Sequence, residues 1–136
     1  MPEERPTRAQ EAARRAELAA AHMRNESQQA QKLIDAFVAR VTELEVPTEP
    51  LRARLLDGAQ VRTDRNGWYL KADRSVAIGD DGAYYVLVVA GGWLDRLRGV
   101  RLSPTPPPLV VARGGRDGET GDLRFFLDRF LERHSR

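Results

Sequence analysis

Between residues 33 and 44 the apolar side chains of Leu33, Ile34, Phe37, Val38, Val41 and Leu44 return every three or four positions. That interval lines one face of an α-helix, so this stretch is expected to dock on a core. The rhythm continues upstream with smaller residues. Ala9, Ala12, Ala16, Ala19 and Met23 keep a 3-4 heptad spacing, which Ala30, Leu33, Phe37 and Leu44 extend and Glu26 and Arg40 interrupt. Thr7 followed by Gln10 fits a capping box, and Val46-Pro47 with Glu49-Pro50 stops the helix, because residues before proline avoid the helical region. A continuous helix of about 38 residues would be ~57 Å long. The remaining ~90 residues should form a body only ~30 Å across. The front half must therefore protrude, fold back after Asn25-Glu26-Ser27, or pair with another chain.

Downstream the period shortens to two. Leu51 to Leu56 reads as a short helix ended by Asp57-Gly58. "QVRTD" then leads through Arg65-Asn66-Gly67 to "WYLKA", and Asn-Gly is a strong hairpin signal. Ala72-Asp73-Arg74 turns into "SVAIG", with Val76 and Ile78 on one face. Asp80-Asp81-Gly82 turns into "AYYVLVVA", which is apolar on both faces and so reads as a central, covered strand. "WLDRLRGVRL" allows one helical turn, "SPTPPP" is a stiff connector, and Leu109 to Ala112 reads as a last strand. Leu123, Phe126, Leu127, Phe130 and His134 share a face of an amphipathic C-terminal helix.

These elements predict an α+β fold: a long N-terminal helical arm over residues 1–46 and a domain over residues 47–136. The domain should hold a four- to five-stranded, mostly antiparallel β-meander with the C-terminal helix packed on it. Composition agrees, since 136 residues that are 41% hydrophobic suffice for one core. Charge adds little. Basic residues number 22 and acidic residues 20, leaving +2. Neither sign is segregated along the chain, so no whole-molecule attraction for nucleic acid is expected. The absence of cysteine excludes disulfides, thiolate metal sites and cysteine nucleophiles. The start lacks the apolar region of a secretory signal and no run approaches a membrane span, which makes a cytoplasmic location the expectation.

Chemistry-bearing motifs are sparse. "ARGGRDGETGDL", Ala112 to Leu123, has the glycines and the cations Arg113 and Arg116 of a phosphate loop, but no Gly-Lys-Ser/Thr at the helix start. Asp117, Glu119 and Asp122 would repel an anion, and Thr120 or Asp122 serves more simply as helix N-cap. A calcium loop fails because Asp122 stands where glycine is needed. His22 and His134 lie far apart, so neither a catalytic triad nor a zinc site is expected. No catalytic residue, metal, cofactor or small-molecule ligand is expected.

Two interaction surfaces remain. The arm, through Ala9, Ala12, Ala16, Ala19 and Met23, suits a second copy of the chain or a protein partner. The alternative is a nucleic-acid-associated accessory role for an arginine–tryptophan patch of Trp93, Arg96, Arg98, Arg101, Arg113 and Arg116, with Arg52, Arg54, Arg62 and Arg65 as further contributors. The stretches "GWYLKADRSVAIGDDGAYYVLVV" and "PPPLVVARGGRDGE" resemble small uncharacterised proteins of GC-rich bacteria. That resemblance implies a stand-alone cytoplasmic protein and carries no activity, ligand or site residue. The leading expectation is a non-catalytic protein–protein interaction or self-association module acting through the arm.

Overall fold

The computed structural model describes residues 4–111 and 121–135. Helix α1 runs Arg8–Glu43. Its start is the expected capping box: Gln10 N–H donates to Thr7 Oγ1 at 3.1 Å, and Thr7 N–H donates to Gln10 Oε1 at 2.8 Å. It ends in a Schellman-type reversal, with Glu45 N–H donating to Thr42 O and Val46 N–H to Val41 O. Glu45 takes the left-handed conformation at φ 57°, where glycine is more usual. The indole N–H of Trp68 donates to Val46 O and ties this exit to the sheet.

Strands β1 (Glu49–Leu55), β2 (Gln60–Tyr69), β3 (Val76–Gly79), β4 (Tyr84–Val86) and β5 (Val88–Val89) form one sheet in the order β4-β3-β2-β1-β5. Pairing is antiparallel except between β1 and β5. The expected helix over Leu51–Leu56 is instead strand β1. Leu51, Ala53 and Leu55 alternate inward while Arg52 and Arg54 point outward, a period of two. Asp57-Gly58, read as the end of that helix, is the β1–β2 hairpin turn, with Gly58 at φ 92° and Asp57 Oδ1 accepting from Ala59 N–H.

The expected turn at Asn66-Gly67 does not occur either; β2 runs straight through it. Gly67 lies between Glu49 of β1 and Gly79 of β3, and a Cβ there would collide with the Ile78 carbonyl. Its glycine permits close strand approach rather than reversal.

The run from Ala83 to Ala90 is not one central strand. It breaks at Leu87 and supplies both sheet edges. Leu87 N–H donates to Ser75 O at 2.8 Å, and Leu87 O accepts from Arg54 N–H at 2.7 Å, so the sheet curls until its edges meet. Both faces of Tyr84–Leu87 are put to use. Tyr85 and Leu87 fill the interior of the curl with Leu51, Leu55 and Val61, under Leu102. Tyr84 joins Trp68, Leu70 and Ile78 on the outer face. Val86, however, is 40% exposed.

Helix α2 (Trp93–Arg98) follows β5, and a separate pair, β6 (Val110–Val111) with β7 (Gly121–Asp122), precedes helix α3 (Leu123–His134). Asp122 is the α3 N-cap by position, with no side-chain capping bond. Leu123, Phe126 and Leu127 of α3 and Ala30, Ile34, Phe37 and Val41 of α1 cover the outer face. Phe37 joins the layers, edge-on to Trp68 at 6.0 Å and to Phe130 at 5.3 Å. His134 stacks on Phe130 in the last turn of α3.

Candidate interaction sites

No residue of α1 before Ala30 is buried. The spacing that buries Ala30, Ile34, Phe37 and Val41 continues toward the N-terminus, but past Ala30 there is no body beneath it. Ala9, Ala12, Ala16 and Ala19 are exposed, and Met23 and Leu18 remain 65% and 56% accessible. The five arm residues picked out by their spacing thus lie on one continuous, uncovered helix. Glu26, which interrupts the heptad, marks the boundary: its Oε1 accepts from Leu109 N–H at 2.9 Å. The part from Arg8 to Gln29 extends roughly 33 Å at 1.5 Å per residue.

The second site centres on α2. Asp95 accepts from the Gly92 N–H at 2.7 Å and so caps the helix start, while Gly99, at φ 82°, ends it. On this short helix Trp93 is 71% exposed, and Leu94 and Leu97 are open beside it. Arg98 and Arg101 line a depression of about 420 Å³ together with Arg62 and Asp64. Arg62 also donates to Leu97 O at 3.3 Å, and Asp64 Oδ1 accepts from Leu102 N–H.

Two arginines of the expected patch are engaged elsewhere. Arg96 pairs with Asp57, whose carboxyl is held below its ordinary value by the Ala59 amide first and then by Arg96. Arg65 lies 3.5 Å from Asp81 and over the Tyr85 ring. Arg113 and Arg116, and the loop reading as a whole from Ala112 to Thr120, lie outside the described residues.

Two polar clusters were not singled out from the sequence. In one, Tyr85 Oη donates to Asp81 Oδ2 at 2.5 Å, while Ala83 N–H donates to Asp81 Oδ1 at 3.0 Å. Burial raises the Asp81 carboxyl, but these two donors and Arg65 outweigh it and hold the group below its ordinary value. Burial, then the Asp81 carboxylate, pushes Tyr85 up to about 12. The result is a charged acceptor and a neutral donor that clamp the β3–β4 turn. In the other, Ser75 Oγ donates to Asp73 Oδ1 at 2.7 Å, and the buried Lys71 Nζ stands 3.9 Å from Asp73 Oδ2. Lys71 is one of two lysines in a chain with 20 arginines, which was the one sequence signal for this site.

Among the described residues no group of three His, Cys, Asp or Glu is placed to hold a metal, and no helix is long and apolar enough to cross a membrane. No family model, curated protein or solved structure matches the chain.

Proposed function

We propose that this protein is a non-catalytic association module that pairs with a second copy of itself through the part of α1 preceding Ala30. The observation that carries the reading is where burial stops. One helical stripe is core from Ala30 to Val41 and open from Ala9 to Met23. Alanine favours the helical state, yet a half-helix of this length is only marginally stable alone in water. A partner helix would cover Met23, and the alanines along the stripe allow close approach. Identical stripes can meet around a two-fold axis, the commonest symmetry of soluble oligomers.

Sedimentation velocity over a range of concentrations tests this on the full chain. The wild type should gain mass with concentration, and Met23→Glu, which charges the stripe without touching the core, should remain a monomer. A wild type that stays monomeric throughout removes self-association.

A further inference from the structure

The geometry points to a binding site for single-stranded nucleic acid on the arginine row that crosses β1, β2 and α2, distinct from the arm. Charge that is balanced along the chain is not balanced on this surface. The antiparallel register sets Arg52 directly opposite Arg62, and Arg54 follows on the same side of β1, away from the inward Ala53 and Val61. Arg52 and Arg54 border a small depression with Tyr69 and Arg74. Arg62 borders the larger one with Arg98 and Arg101. The cross-strand arginine pair therefore joins the two depressions.

Among the described residues Arg52, Arg54, Arg98 and Arg101 have no ion-pair partner. Of the acids that line the two depressions, Asp64 already accepts from Leu102 N–H and Asp73 from Ser75. Like charges directly opposite each other in a sheet cost stability. An anion lying across the pair relieves that repulsion.

The arrangement favours an extended polyanion over a single phosphate. Arg52 and Arg54 are ~6.7 Å apart along their strand, and Arg62 is another ~5 Å across the sheet. The cations form a row and do not converge on one point. On the helix that carries Arg98, roughly 7.5 Å from it along the axis, stands Trp93, 71% exposed on a helix with no buried residue. A charged track with an open indole on the helix that carries Arg98 suits a strand whose phosphates follow the arginines and whose unpaired base stacks on the ring. An acidic peptide would use the charge but has less use for the ring.

The test is fluorescence anisotropy of a labelled oligothymidylate with the full-length protein, titrated between about 50 and 200 mM salt. Binding should weaken steeply with salt. Arg54→Ala and Arg98→Ala, one from each depression, should each reduce the salt slope by about 0.7. Trp93→Ala should lower affinity by about tenfold with the slope unchanged. None of the three positions is buried, and circular dichroism of the variants checks that the fold is retained. Absence of binding at low salt overturns the site, as do variants that bind like the wild type. Equal affinity for a DNA duplex overturns the single-strand assignment, and equal affinity for polyglutamate overturns nucleic acid as the ligand.

Discussion

Glu26 accepts a hydrogen bond from the backbone of Leu109, 83 residues away, and this contact is where the long helix leaves the body of the protein. Upstream, α1 has no buried residue; downstream, every turn contributes to the core. Leu109 in turn accepts from Leu123 N–H at 2.7 Å, so one backbone unit holds α1 and the start of α3 together.

Replacing Glu26 with alanine should therefore cost about 1–3 kcal/mol, because a partly buried N–H loses its acceptor. Glu26→Gln, which keeps an acceptor, should cost less. Urea denaturation measures both, and amide exchange at Leu109 should accelerate in the alanine variant. An unchanged stability in Glu26→Ala would detach the arm boundary from this contact.

The facing pair Arg52 and Arg62 gives a prediction of opposite sign. Arg52→Thr removes a cross-strand repulsion and places a strand-favouring residue on β1, so the free protein should become more stable by roughly 0.5 kcal/mol. Thermal denaturation at low salt should show the gain, and added salt should shrink it as screening replaces the substitution.

Much of this molecule was legible in its residues, and the misreadings have specific causes. The Thr7–Gln10 cap, the three-four rhythm of α1 and the apolar face of α3 are local signals, and each appears where the spacing put it. Leu51-Arg52-Ala53-Arg54-Leu55 carries a period of two, which its good helix formers mask. Asn66-Gly67 resembles a turn locally, but Gly67 is needed for the close approach of β2 and β3, which only tertiary structure reveals. Sequence grouped Arg52, Arg54 and Arg62 with the Trp93 patch by residue type alone; register, and not sequence proximity, is what sets Arg52, Arg62 and Arg98 side by side. The patch expected around Trp93 is correspondingly altered: Arg96 is taken by Asp57 and Arg65 by Asp81.

The Tyr85–Asp81 clamp should leave a signature at both ends of the pH scale. Asp81 has a folded-state pKa below the ordinary carboxyl value of 3.8, so its stabilisation is complete above that value and is lost as pH falls through the lower, folded one. Tyr85 is raised from 10.0 to about 12, so its contribution is complete below pH 10 and is lost as pH rises through about 12. Tyr85→Phe should flatten the stability profile in both windows. Some alkaline loss should persist, because burial also pushes Tyr84 up to about 12. Denaturation across pH, with tyrosinate absorbance followed in parallel, checks the expectation. An Asp81 carboxyl that titrates identically in the variant would contradict the clamp.

Self-association depends most directly on the uncovered length of α1. Amide hydrogen exchange of the full chain, measured at low and high protein concentration, reads that length directly. Self-association through the arm predicts that amides between Arg8 and Gln29 exchange quickly when dilute and become protected when concentrated, while those from Ala30 to Val41 stay protected in both. Concentration-independent exchange along the whole of α1 would contradict it.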